Sequence, residues 1–210
     1  MDKTAIVLAG GFSSRLGQDK GLFSLADKPL VKHVLNSINN IVDERLVVVS
    51  SKAQKDKYSK IIGGSANILV DTTDAHGPLA GALTGLQGAH GKYSLLLACD
   101  APFVSKDILL LLFELCINRN AAIPRWPNCY IEPLQAVYCT KPASEAAQKA
   151  LFEGNLNVQA MVDKLKGVRY VSTLVLEQLD PGLKTFFNIN TSVDLRKAEH
   201  MLGRPEKGVR

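Results

Sequence analysis

Four short apolar runs without polar alternation constrain this chain most: Thr4-Ala5-Ile6-Val7-Leu8-Ala9, Leu46-Val47-Val48-Val49, Ile68-Leu69-Val70 and Ser94-Leu95-Leu96-Leu97-Ala98. A strand with one wet face alternates apolar and polar residues, whereas a parallel strand covered on both faces does not. The runs therefore predict buried parallel strands. Between them, residues 29–40, 53–62 and 78–89 read as helices, with Pro29 near a first turn. Ser105 is expected to cap a strongly apolar helix reaching about Ile117. This βαβαβαβ order predicts an α/β fold: three Rossmann-like layers, a mostly parallel central sheet, right-handed crossovers and helices on both faces.

The second half is less regular. Residues 121–123, 134–139 and 168–172 read as strands, and 143–152 and 156–166 as helices. A last helix begins near Thr191, where Asp194 stands at capping-box spacing. There is no internal repeat and no linker-like stretch. We expect one domain over residues 1–200 and a basic tail over 201–210. The 210 residues can bury one sizeable core but are short for two full domains. With 46% apolar and 21% charged residues, disorder is not expected away from the ends.

Several classes are excluded by what the chain carries. The run Ile108 to Leu115 is too short to cross a bilayer and contains Glu114. The opening residues do not follow a signal-peptide pattern, so a cytoplasmic location without a membrane partner is expected. Cys99, Cys116, Cys129 and Cys139 form no CxxC pair, which argues against structural zinc and, without secretion, against disulfides. Cys99 is expected to act as a small hydrophobe. Residues 196–210 hold five Lys/Arg against two Asp/Glu, so +3 of the net +5 sits in that tail. The remaining +2 does not call for a nucleic-acid partner.

Chemistry is concentrated in Leu8-Ala9-Gly10-Gly11-Phe12-Ser13-Ser14-Arg15-Leu16-Gly17-Gln18-Asp19-Lys20, just after the first strand. Open α/β sheets place ligands at strand carboxyl ends. Adjacent glycines let backbone N–H groups approach phosphate oxygens, Arg15 offers a forked donor array and Lys20 a compact charge. A Walker loop is ruled out because Gly17 is followed by Gln18-Asp19, and no GxGxxG fingerprint is present. Asp100, at the end of the fourth strand and before Ala101-Pro102, can bind a hard cation that bridges phosphates or serve as a turn aspartate before the proline. Outside these segments, Arg125 and the histidines His33, His76, His90 and His200 carry no motif and are expected at the surface.

LAGGxSxRxGxDK resembles the signature loop of the GT-A-like nucleotidyltransferases, and its Asp-Lys-Gly-Leu continuation resembles the molybdenum cofactor guanylyltransferases. The similarity extends from Thr4 to about His200. It implies a GT-A-type fold, nucleotide contacts from Leu8, Ala9, Gly10, Gly11 and Lys20, and Mg2+ on Asp100. Asp71, followed by Gly77-Pro78-Leu79-Ala80-Gly81, matches an aspartate associated with the base or ribose, or it opens a surface turn through Asp71-Thr72-Thr73-Asp74 with Gly77-Pro78 starting a helix. Ser50 stands where some members carry a guanine-contacting asparagine. It is read either as a nucleotide contact or as a plain strand terminus, and GTP competes with CTP accordingly. Glu132-Pro133-Leu134 resembles a segment beside the acceptor pocket, and Asn188-Ile189-Asn190-Thr191 resembles an N-x-N-T segment. Asn188 and Asn190 can serve the acceptor or a metal, or the segment can simply cap the last helix.

The implied reaction transfers GMP from GTP to the phosphate of molybdopterin, or of its metal-loaded form, and releases pyrophosphate. Lys20, Arg15 and Asp100 would carry catalysis, and cofactor-delivery proteins are possible partners. The rivals are CTP or another phosphorylated acceptor on the same fold, and a non-catalytic nucleotide-binding adaptor.

Overall fold

The structure, a computed structural model, describes residues 2–13, 18–71, 73 and 77–203. Its central sheet has seven strands: β1 (Lys3–Leu8), β2 (Glu44–Val49), β3 (Asn67–Val70), β4 (Tyr93–Ala98), β5 (Ala121–Arg125), β6 (Gln135–Cys139) and β7 (Val168–Ser172). They lie in the order β7-β5-β6-β4-β1-β2-β3. Only β6 runs antiparallel to its neighbours, β4 and β5. The apolar runs of the first half thus form parallel strands, and the second half extends the same sheet.

Alternate residues of each strand face opposite layers. Ala5, Val7, Val47 and Val49 pack under α1 (Leu30–Ser37), α2 (Lys52–Ile62) and α4 (Lys106–Cys116). Ile6, Leu46 and Val48 pack under α3 (Pro78–Gly88), α5 (Thr140–Phe152) and α6 (Val158–Asp163). A short α7 (Thr173–Leu176) follows β7, and α8 (Ser192–Met201) closes the described chain. A third, smaller core joins Phe23, Leu25 and Leu30 to Ile189 and Ala198, tying α8 to the segment that follows the glycine turn. Among the described residues no helix is long and apolar enough to cross a membrane.

Some local expectations are corrected. Ser105 occupies the N-cap of α4, but its side chain makes no cap bond. Its backbone N–H instead donates to Thr185 Oγ1 at 3.0 Å, so a tertiary contact fixes the entry to this helix. The helix expected over 156–166 is shorter, capped by the Asn157 side chain and ended at Asp163. Strand β5 runs on through Pro124 and Arg125, and the Pro124 carbonyl accepts from Glu132 N at 3.0 Å. His90 lies at the surface as expected, and there it meets a buried carboxylate. Its ring nitrogen Nδ1 lies 2.7 Å from Glu44 Oε1.

Glu44 sits in a buried network at the amino ends of the strands, away from the cleft described below. Its Oε2 accepts from Thr4 Oγ1 at 2.6 Å and from His90 N at 2.9 Å. Burial alone would raise this carboxyl, but the bonds from Thr4 and His90 outweigh it and hold the group below its ordinary value. A lowered folded-state pKa contributes stability above the unfolded value, and that contribution is lost as pH falls through the folded one. Glu44→Gln is therefore expected to cost about 1–3 kcal/mol near neutral pH and to flatten the acid side of the stability curve. Urea melts at several pH values check this, and parallel acid limbs for the two proteins would contradict it.

Candidate active site

The carboxyl ends of β1 to β4 open onto a cleft of about 470 Å³. Leu8, Gly10, Gly11, Lys20, Ser50, Asp71, Asp100 and Leu134 all line it. Sequence positions 8 to 134 converge there because parallel strands deliver their following loops to the same edge of the sheet, the edge at which the antiparallel β6 begins. Ala9 does not line the cleft and instead buttresses it. Its N–H donates to Val48 O at 2.8 Å, and its carbonyl accepts from the buried Tyr58 hydroxyl at 3.2 Å. Arg15 lies outside the described residues, as does His76.

At one end, charge converges on Lys20. Its Nζ lies 3.1 Å from Asp100 Oδ2 and 2.5 Å from Asn190 Oδ1. Asp100 is only 8% exposed and stands two residues after the end of β4. The Ile189 N–H donates to Asp100 O at 2.9 Å, which stitches the C-terminal segment to the site. Within the N-x-N-T segment the residues differ in what they touch. Thr191 forms a complete capping box with Asp194, while the Asn190 side chain faces Lys20. Neighbouring Cys99 is almost fully buried, and burial and the adjacent Asp100 push its thiol well above the ordinary range, so it is a packing residue rather than a nucleophile.

Gly10 permits a close approach. A Cβ there would stand 2.1 Å from Ser50 Oγ and 3.1 Å from the Ser50 backbone nitrogen. The Ser50 hydroxyl donates to Gly10 O at 2.9 Å, and the Ser50 N–H donates to Gln54 Oε1 at 2.8 Å. Gln54 in turn donates to the buried Asp19 at 2.7 Å, just before Lys20. Gly10→Ala is expected to displace Ser50 and weaken nucleotide binding about tenfold. A second change, Ser50→Gly, should restore part of the loss by removing the nearest atom. Calorimetric titration with nucleotide checks both, and an unchanged affinity in Gly10→Ala would count against this packing.

At the other end, Asp71 is anchored after β3. Its N–H donates to Val49 O at 2.8 Å, and its Oδ1 accepts from Thr73 and Thr84. Beyond Leu134 lies a separate polar wall. Trp126 Nε1 donates to Glu132 Oε1 at 2.7 Å, and Gln135 Nε2 donates to Asn188 Oδ1 at 3.4 Å. Burial raises the Glu132 carboxyl above its ordinary value despite the Trp126 bond. Glu132 and Asn188 do not line the cleft itself, whereas Leu134 does.

Sequence reasoning missed Gln54, Thr73, Thr84 and Trp126. For Gln54 a signal existed: Ser51 and Gln54 stand at S-x-x-Q capping spacing, and Ser51 does cap α2. For Thr73 the signal was its place two residues after Asp71, the spacing of an aspartate turn; Thr84 and Trp126 carry no local pattern.

A divalent cation is implied by the family resemblance. Among the described residues there is no group of three or more His, Cys, Asp or Glu able to cage a metal. Magnesium in phosphate-handling sites uses one or two protein oxygens and takes the rest from water and phosphate. Asp100 and Asn190 already aim two hard oxygens at one cationic group, the Lys20 ammonium. The donor set fits magnesium shared with a substrate.

Comparison with known proteins agrees with this geometry. The MobA-like NTP transferase domain matches residues 5–168. A probable molybdenum cofactor guanylyltransferase of Methanosarcina mazei is 35% identical over 99% of this chain and 93% of its own. One from Methanosarcina acetivorans is 36% identical over 96% and 90%. The crystal structure of molybdopterin-guanine dinucleotide biosynthesis protein A from Archaeoglobus fulgidus superposes with a TM-score of 0.81 at 29% identity, covering 95% of this chain and 98% of that one. With the cleft at the strand carboxyl ends and a family match spanning β1 to the start of β7, this chain belongs to the MobA-like NTP transferase family.

Proposed function

We propose that this chain is a molybdenum cofactor guanylyltransferase: it transfers GMP from GTP to the terminal phosphate of molybdopterin, or of its metal-loaded form, and releases pyrophosphate. The observation that carries this reading is the Lys20 ammonium held between Asp100 and Asn190 at the mouth of a glycine-lined cleft. A phosphate oxygen of the acceptor attacks the α-phosphorus of GTP, a new P–O–P linkage forms, and the bond to the β-phosphate oxygen breaks. The attacking phosphate is already ionised near neutral pH, so no side-chain base is needed. Catalysis then rests on alignment and on charge stabilisation.

Lys20 compensates charge developing on the departing pyrophosphate, with Arg15 proposed from the sequence as a second cation. Gly10 and Gly11 bring backbone N–H groups close to the phosphates, and Leu8 and Ala9 support them. Asp100, with Asn190 beside it, would hold magnesium, which when bound neutralises phosphate charge. Glu132 and Asn188 form the acceptor side, where Glu132 would be the carboxyl facing the pterin.

Guanine is favoured over cytosine by the polarity at the far end. A carbonyl can only accept, so the Ser50 hydroxyl hydrogen is committed to Gly10 O, and toward the cleft the Ser50 oxygen can only accept. Asp71, next to it across the β2–β3 register, is likewise an acceptor when ionised. Guanine presents adjacent N1–H and N2–H donors on one edge, whereas cytosine presents a donor beside acceptors.

The test is pyrophosphate release from a panel of GTP, CTP, ATP and UTP with molybdopterin. GTP-dependent turnover is expected. Preference for CTP would overturn the nucleotide assignment, and nucleotide binding without turnover under any acceptor would favour an adaptor instead.

A further inference from the structure

We propose that Thr84 is a positioning residue for nucleotide selection, holding Asp71 so that a single carboxylate oxygen is offered to a hydrogen-bond donor of the ligand. The inference rests on the reading of the cleft as a GTP site. Thr84 lies on α3 in line with Pro78 and Gly81, both of which line the cleft at three-residue spacing. A threonine inside a helix commonly turns its hydroxyl back onto its own helix. Thr84 instead reaches the strand side and donates to Asp71 Oδ1 at 3.1 Å, thirteen residues upstream. Thr73 donates to the same oxygen twice, from its N–H at 3.0 Å and its hydroxyl at 2.8 Å.

Three donors on one oxygen use up its acceptor capacity. Among the described residues, Asp71 Oδ2 accepts no hydrogen bond, and Asp71 lines the cleft. The carboxylate therefore meets the ligand through Oδ2 alone, so its orientation decides which donor is read. Thr73 fixes the oxygen from a loop that lies next in sequence to Asp71. Thr84 fixes it from a helix packed on the sheet, and only the helix carries the rigid reference that sets the direction of Oδ2. The ligand donor is a base N–H or a ribose hydroxyl, and the analogues below separate these. Ser50, one strand over, supplies the companion acceptor.

The experiment measures nucleotide dissociation constants and kcat for Thr84→Val and Thr84→Ser with GTP, ITP and 2′-deoxy-GTP. ITP lacks the N2 amine, and 2′-deoxy-GTP lacks one ribose hydroxyl. Thr84→Val is expected to weaken GTP about tenfold with kcat little changed, because a bond to a charged group is lost from ground and transition states alike. Thr84→Ser, which keeps the hydroxyl, should bind GTP within about twofold of the parent. If the penalty for ITP shrinks in Thr84→Val, the donor read is the base amine. If the penalty for 2′-deoxy-GTP shrinks instead, it is the ribose hydroxyl. Equal GTP affinity in Thr84→Val and the parent would overturn the proposal, as would a lower melting temperature with unchanged affinity. Should Thr84→Val not fold, Thr84→Ala gives the same readout. Asp71→Asn in the same series separates the two readings: no loss of GTP affinity there removes Asp71 from the site, whatever Thr84 does.

Discussion

Lys20→Ala is expected to lower kcat for pyrophosphate release by about a hundredfold or more, the usual cost of removing one preorganised donor from developing charge. The expectation follows from where the ammonium sits. Lys20 Nζ is within hydrogen-bond reach of both Asp100 and Asn190, so its position is set before any nucleotide arrives. Gly21 follows it in a crevice where a Cβ would come within 2.5 Å of the Tyr58 hydroxyl oxygen, which limits how far the segment can shift. Lys20→Arg should recover little, since a planar guanidinium does not occupy the place of a compact ammonium between two oxygens. The check is a single-turnover rate with saturating GTP, alongside a melting curve. A rate within about threefold of the parent would show that Lys20 is not the charge-compensating group.

Asp100→Asn isolates the charge of the carboxylate from its shape. Asparagine can still accept from Lys20, and Asp100 O keeps its bond from Ile189 N, so the fold should persist. The variant should nevertheless lose about a hundred- to a thousandfold in turnover. It should also lose the magnesium dependence of stabilisation by GTP. For the parent protein, GTP at a hundred times its dissociation constant is expected to stabilise the fold by about 2.7 kcal/mol. Thermal shift with and without magnesium checks this. A magnesium-dependent shift that survives in Asp100→Asn would place the metal elsewhere.

What the sequence made legible and what it hid divide along physical lines. The parallel strands were readable because β1, β2 and β4 are covered on both faces and carry unbroken apolar runs. Asp100 and the glycine turn were readable because each stands within two residues of the end of such a run, where an open sheet gathers its ligands. The antiparallel direction of β6 was not readable, since Gln135-Ala136-Val137-Tyr138-Cys139 would serve either orientation. The two-residue ribbon of Ser24–Leu25 with Lys28–Pro29 was also hidden. Its turn residues Ala26 and Asp27 both take positive φ without the Asn-Gly pair that announces such turns.

The site shows the same division. Lys20 and Asp100 were each identified, but their pairing spans 80 residues and has no local signature. That Asn190 faces Lys20 while Thr191 caps α8 became visible only once α8 was docked by Ile189 and Ala198 against Phe23, Leu25 and Leu30. Thr84 reads as an unremarked helical threonine until α3 is laid beside β3. Trp126 had no part in the sequence reading, and only β5 and the Glu132 segment bring its ring nitrogen to a carboxylate.

Diffraction from crystals grown with magnesium and a GTP analogue that cannot be cleaved between its α- and β-phosphates tests the account most directly. The account predicts the triphosphate across Gly10 and Gly11, with phosphate oxygens reaching Lys20, the metal on Asp100, and the base beside Ser50 and Asp71. A nucleotide bound outside this cleft, or lying with its base against Lys20 and its phosphates toward Asp71, would contradict it.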